Sequence, residues 1–115
     1  MKILHKEQQE NWETKTVKGH EYPFGIENID CALIEINGRH PLQGWYRNTK
    51  VDEMIYCKSG KGYIVFQDGV HTLKEDSAVF IPKNEWYYWD VNTNGVFVPM
   101  CNPAWSKEQG ESKEF

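Results

Sequence analysis

Residues 52–90 read DEMIYCKSGKGYIVFQDGVHTLKEDSAVFIPKNEWYYWD, and this stretch decides the fold. It holds five short runs: Asp52 to Cys57, Gly62 to Gln67, Val70 to Leu73, Ser77 to Ile81 and Glu85 to Asp90. Each is rich in β-branched and aromatic side chains, which fit a pleated, half-buried surface. Between them stand Ser59-Gly60, Asp68-Gly69 and Pro82-Lys83-Asn84. Asp-Gly suits the tight turn of a β-hairpin, and Gly and Pro punctuate strands. No run is long enough, or spaced at helical period, to predict a helix.

Working outward, Val96 to Cys101 predicts one more strand downstream, and Cys31 to Ile36 predicts one upstream, closed by an Asn37-Gly38 turn. The first 25 residues are polar with scattered aromatics. They predict one or two irregular strands around Trp12 to Val17 and a turn at Tyr22-Pro23-Phe24-Gly25. The tail, Ser106 to Phe115, is charged and reads as one short helical turn or as frayed chain. Short strands at roughly ten-residue spacing argue for an all-β sandwich or barrel. We read residues 1–115 as a single domain, with a barrel over about 31–105, an N-terminal arm over 1–30 and a tail over 106–115.

Composition narrows the function classes. The 115 residues are 39% hydrophobic and 26% charged, values of a globular chain that buries its own core. A net charge of −4 with no basic patch argues against nucleic acid as a partner. No apolar run approaches a membrane span, and Met1 to Glu10 shows no apolar signal segment. Cys31, Cys57 and Cys101 are odd in number and widely spaced, so they predict neither a disulfide framework nor a Cys-x-x-Cys zinc pair. Reduced thiols fit a cytoplasmic protein. Aromatics make up 14% of the chain, and they also wall small-molecule pockets.

The spacing within the deciding stretch is specific. Glu53 is followed after six residues by Gly60; a fifteen-residue interval, Lys61 to Glu75, leads to Asp76; then come Pro82 and Asn84. This pattern resembles the two motifs of the cupin superfamily, Gly-x5-His-x-His-x3,4-Glu-x6-Gly and Gly-x5-Pro-x-Gly-x2-His-x3-Asn. The resemblance covers about residues 31 to 105 and implies a single cupin jelly-roll β-barrel, commonly dimeric. Physical reasons support the matched positions. Gly60 can turn with positive φ, Asp76 and Asn84 tolerate the left-handed region where the family has Gly, and Pro82 fixes φ at a strand exit.

The family's metal positions are changed. Counting back from Glu53, the His-x-His pair falls on Tyr46 and Asn48 or on Arg47 and Thr49. Counting on from Asn84, the third histidine falls on Tyr87 and the last Asn on Val91. Only Glu53 survives, and one carboxylate among Tyr, Asn and Arg does not make a transition-metal site. We therefore expect no metal and no cofactor.

Alternation along strands puts Ile55 and Cys57 on the face of Glu53, and Glu85 and Trp89 on the face of Tyr87. The expected cavity combines Arg47 or Asn48 with Glu53, Tyr87 and Trp89, with Tyr63 and Cys57 as further ligand-contacting candidates. Glu53 could instead pair with Arg47 inside the barrel. The opposite set (Met54, Tyr56, Trp86, Tyr88) would be buried against another sheet or a second copy of the chain, which predicts a homodimer.

The segment Asn37 to Asn48 (NGRHPLQGWYRN) leads into the first motif as a chemistry-rich loop at the barrel mouth. Its His40 is a candidate general base or acid. His5, His20 and His71 sit in polar surroundings and read as surface residues. The closing stretch, Cys101 to Gln109, is similar in outline to that of metal-free cupin dehydratases. That resemblance would give His40, Tyr87 or Tyr88, and Glu108 roles in acid–base chemistry.

The sequence thus predicts a cupin that binds a polar small molecule, sugar-like or nucleotide-derived, without metal. The alternative is a metal-independent lyase, dehydratase or isomerase using His40, Glu53 and Tyr87. A more distant alternative is a metal enzyme with the unusual ligands His40, Glu53 and Cys57.

Overall fold

The structure, a computed structural model, describes residues 1–115. It contains ten strands: β1 (Glu10–Glu13), β2 (Val17–Glu21), β3 (Asp30–His40), β4 (Trp45–Asn48), β5 (Asp52–Ser59), β6 (Lys61–Phe66), β7 (Gly69–Lys74), β8 (Ala78–Ile81), β9 (Tyr87–Asn102) and β10 (Gly110–Lys113). The only helical pieces are 3₁₀ turns at Lys6–Gln8 and Lys107–Gln109. No helix is long and apolar enough to cross a membrane.

All pairings are antiparallel, and one strand organises them. The sixteen-residue β9 pairs with β3, β5 and β6 and touches β4 at Tyr46–Tyr87. Hairpin β6–β7, pair β5–β8, arm β1–β2 and pair β4–β10 complete one curled sheet, the jelly-roll barrel that the family resemblance implied. Along β9 the odd-numbered residues Tyr87, Trp89, Val91, Phe97 and Cys101 point inward and are buried. They meet Ile36, Ile55, Ile64 and Ile81 in the core. Each such side chain contributes about 1.5–3 kcal/mol by leaving water.

The turns behave as their residues dictate. Asp76 and Asn84 both adopt positive φ (65° and 71°), as does Gly60 (75°). At Gly60 an added Cβ would also lie 2.6 Å from the Asn94 carbonyl oxygen. Asn84 donates its backbone N–H to the Asn48 carbonyl at 2.6 Å, and Lys83 N–H is capped by Asp52 Oδ1 at 2.9 Å. These bonds tie the second-motif turn to the first motif.

Several expected boundaries move. Asn37-Gly38 does not turn the chain. The ladder to β9 shifts register between Ile36 and Gly38 and then continues to His40. Gly38 supplies the positive φ of an irregularity within the strand (120°), and Asn37 N–H turns aside to the Thr16 carbonyl. The segment Asn37 to Asn48 is therefore the end of β3, a short loop and β4, rather than one loop. Glu85 lies outside β9 and is exposed. The tail folds as a 3₁₀ turn and β10, whose residues pair with β4 from Gly110–Asn48 to Lys113–Trp45. The three cysteines are free: Cys57 and Cys101 buried, Cys31 half-buried.

Candidate functional site

The barrel encloses a cavity of about 540 Å³. Its polar wall is built where β4, β5 and β9 meet. Alternation turns Tyr46 and Asn48 inward and Arg47 outward, so Tyr46 and Asn48 occupy the places of the family's histidine pair. Glu53 projects from β5 between them and Tyr87 of β9. Tyr87 O–H donates to Glu53 Oε1 at 3.2 Å, and Asn48 Nδ2 approaches the same oxygen at 3.5 Å. The Cys101 thiol lies 3.6 Å from Oε2.

A second layer orients this wall. Asn48 Oδ1 accepts from Tyr46 O–H at 2.9 Å, Trp105 Nε1 at 3.2 Å and Gln109 Nε2 at 2.8 Å. Trp105 is itself tied down by its backbone N–H to Asp30 Oδ2 at 2.9 Å. Every buried side-chain polar atom in the protein has a partner.

His40 reaches the same cavity from the end of β3, whose partner there is Trp89. Its ring makes no hydrogen bond to protein, and because no buried polar atom is left unpaired, its nitrogens are accessible rather than buried. The aromatic walls are Tyr87 and Trp89, 6% and 3% exposed, with Trp105 and Trp12 toward the opening. Trp12 lies flat on Gly19 of the adjacent strand, where a Cβ would come within 2.0 Å of the indole.

The barrel environment shifts the titrations. Removal from water is the first cause at Glu53 and pushes its carboxyl up to about 7, against the hydrogen bonds from Tyr87, Cys101 and Asn48 that pull it down. Burial lowers His40 below the usual imidazole range. Burial, then the Glu53 charge, holds Tyr87 well above an ordinary phenol. The Cys101 thiol is pushed up by burial and by Glu53. At neutral pH the cavity therefore contains a neutral imidazole and a carboxyl group near its midpoint.

The structure separates the sequence candidates. His40, Asn48, Glu53, Tyr87 and Trp89 line the cavity together. Arg47 does not. Its guanidinium is held outside by Glu111 at 2.8 Å and lies 4.5 Å from the Trp86 ring, so the expected pair with Glu53 is absent. Tyr63 lies on the β6 face opposite the buried Gly62 and Ile64, which turns it away from the cavity. Cys57 is inward but does not line the cavity; it lies in the core, with its thiol directed at the Ser59 and Gly60 carbonyls. Glu108 is exposed, whereas its neighbour Gln109 is buried, because the 3₁₀ turn presents the next residue inward. Tyr88 faces out, with Arg39 stacked 3.9 Å above its ring. His20 is half-buried and bridges Asn11 and Glu35; His5 and His71 are exposed.

Tyr46, Cys101, Trp105 and Gln109 were not singled out for the site. Tyr46 carries a signal in the motif count, and Cys101, Trp105 and Gln109 carry one only as members of the closing stretch that resembles the dehydratases. The others arrive by long-range pairing of β9 and β10.

The donors do not fit the family's metal. No three His, Cys, Asp or Glu side chains converge as ligands, which also leaves the set His40, Glu53 and Cys57 unassembled. The Glu53 oxygens face three hydrogen-bond donors rather than a gap for a cation.

No family model matches the chain, and no curated protein matches it. Solved structures do. Pac13 from Streptomyces, described as a nucleoside dehydratase, superposes with a TM-score of 0.85 at 14% identity, over 100% of this chain and 92% of that one. Variants of it have been solved with uridine. Ectoine synthase from P. lautus gives 0.76 at 16% identity, over 98% of this chain and 90% of that one. An RmlC-like cupin from Shewanella frigidimarina gives 0.74 at 16%, over 89% and 90%. At these identities the likeness establishes a shared fold.

Proposed function

We propose that this chain, a cupin by fold, is a metal-independent acid–base enzyme acting on a small polar molecule that carries a planar ring. The observation that carries the reading is His40. A neutral imidazole with no protein partner opens onto the same cavity as a carboxyl group that titrates near neutrality. A cavity built only to bind has no need of an unpaired base and a protonatable acid in one lining.

The reaction these groups suit is elimination of water from a β-hydroxy carbonyl compound. His40 takes the proton from the carbon beside the carbonyl, and that electron pair forms the new C=C bond. The C–O bond to the β carbon breaks, and the carboxylic acid form of Glu53 gives its proton to the departing hydroxyl, which leaves as water. The proton on His40 then returns to Glu53 through solvent. Tyr87, held protonated, keeps its O–H on Glu53 Oε1 and positions the acid. Trp89 and Tyr87 supply flat walls for the ring. The dehydratase of the same fold, solved with uridine, supports this class.

A panel of β-hydroxy carbonyl compounds bearing a planar ring tests the reading. In D2O, the wild type should wash deuterium into the carbon beside the carbonyl and release one water, and His40→Gln should abolish both. Binding without exchange, unaffected by His40→Gln, would make the chain a binding module instead.

The expected homodimer belongs to the same proposal. Met54 and Phe80 pair across β5 and β8 on the outer face and are 52% and 58% exposed, which gives a second copy an apolar seat. Light scattering on the wild type and on Met54→Glu checks it: a monomeric wild type removes the dimer.

A further inference from the structure

The charges lining the cavity are all of one sign. The carboxylates Glu21 and Asp30 line it, Glu53 adds a carboxyl group that is partly ionised at neutral pH, and no Lys or Arg lines it. Its one basic group, His40, has its pKa lowered by burial and carries no charge at neutral pH. The opening continues into a second cavity of about 380 Å³ that shares Trp12, Glu21, Asp30 and Trp105 with the first. That annexe adds Glu10 and again no Lys or Arg.

The cations near this end of the barrel are tied elsewhere. Lys2 donates to the Phe24 carbonyl at 2.9 Å and stands outside the annexe lining. Arg39 is clamped by the Pro41 and Gly44 carbonyls at 2.6 and 2.9 Å and stacks on Tyr88 outside the barrel. Arg47 is held by Glu111, and Lys113 lies over Trp86. Strand alternation keeps Arg39 and Arg47 out, since His40 and Asn48, their neighbours, face in.

An anion entering this space loses water and meets carboxylates with no cation to offset either cost. Phosphate recognition ordinarily uses Arg, Lys or clustered backbone N–H groups at a helix N-terminus. Neither a cation in the lining nor an α-helix is present in this chain. Neutral hydroxyls and amides can use Asn48 and Tyr87, and a cation would be attracted by the carboxylates and by the indole faces.

We propose that the cavity takes neutral or cationic planar-ring molecules and turns away anions, so that the substrate is unphosphorylated. This rests on the acid–base reading for the identity of the site, but its test reads charge selectivity alone and does not depend on turnover. Of the five tryptophans, Trp12, Trp89 and Trp105 line the cavity, while Trp45 and Trp86 lie on the outer face against Tyr88 and Arg47. In a Trp45→Phe/Trp86→Phe background, all indole fluorescence therefore comes from the cavity and its mouth.

Quenching constants for iodide, caesium and acrylamide, each divided by the value for free N-acetyltryptophanamide, report which charge can enter. At low ionic strength, caesium should exceed iodide at least threefold, and acrylamide should fall between them. High salt should close the gap by screening. Iodide equal to or above caesium would overturn the proposal. If the double variant loses its fold by circular dichroism, the Trp45→Phe and Trp86→Phe single variants carry the same comparison. With one outer tryptophan remaining in each, a caesium excess in both supports the proposal, and an iodide excess in both overturns it. A null result for deuterium wash-in would remove the acid–base reading while leaving this outcome intact.

Discussion

Gln109 donates its side-chain amide to Asn48 Oδ1 at 2.8 Å across 61 residues of chain. Tyr46 and Trp105 donate to the same oxygen, so Asn48 can offer Glu53 only its NH2. A flipped amide would set two N–H donors against three others. Gln109 also accepts from Lys50 N–H through Oε1 and receives Thr49 at its carbonyl, which welds β10 to β4. Gln109→Ala removes the bonds to Asn48 and to Lys50 N–H, while Asn48 Oδ1 keeps Tyr46 and Trp105 and Thr49 keeps the backbone carbonyl, and should cost about 1–3 kcal/mol in urea unfolding. A loss within error of zero would show that the amide chain does not hold Asn48.

The raised Glu53 carboxyl makes stability depend on pH in a fixed direction. Between the unfolded value of 4.5 and the folded value of about 7, the folded state keeps a proton that the unfolded state has released. Stability is therefore fully present below pH 4.5, falls as pH rises through this window, and levels above 7. The full shift corresponds to at most about 3.5 kcal/mol, less to the extent that water enters the cavity. Glu53→Gln removes this component. At pH 8 the variant should unfold at higher urea than the wild type, and at pH 4.5 the two should be close. Parallel curves across pH 4.5 to 8 would contradict the shifted carboxyl.

How far the sequence reached into the fold can be read at particular turns. Gly60, Asp76 and Asn84 take positive φ because the spacing demands tight corners there, and residue type alone signals which side chains accept them. Asn37-Gly38 carries the same local signal yet lies inside β3, because pairing to β9 resumes beyond it. Local chemistry fixes the φ but not whether the chain reverses. The site divides in the same way. His40, Asn48, Glu53, Tyr87 and Trp89 follow from motif counting and alternation. Arg47 reads as a cavity residue only until alternation is anchored on Asn48. Gln109 and Trp105 were hidden because a charged tail gives no sign that it returns to pair with β4.

Activity should show a narrow pH optimum. The base limb requires His40 neutral, and burial moves that limb below the imidazole value of 6.5. The acid limb requires Glu53 protonated, and it falls away above about pH 7. The rate should thus peak near or slightly below neutrality and drop as pH rises past 7, with apparent values that belong to the pair. Glu53→Gln should lose the alkaline limb together with at least about a hundredfold in rate. A profile that keeps rising to pH 9 would remove Glu53 as the acid.

Metal removal should change nothing. In a metal cupin the Glu at this position shares its ion with three histidines, whereas here its oxygens meet Tyr87, Asn48 and Cys101 donors. A cation would have to expel those donors, and no three His, Cys, Asp or Glu side chains converge there to replace them as ligands. Treatment with EDTA should therefore leave both the melting temperature and deuterium wash-in unchanged. Excess manganese or zinc should not raise the melting temperature, since only an ion that binds the folded state does so. A rise of several degrees with either metal, reversed by EDTA and lost in Glu53→Gln, would establish a site at Glu53 that the donor geometry argues against.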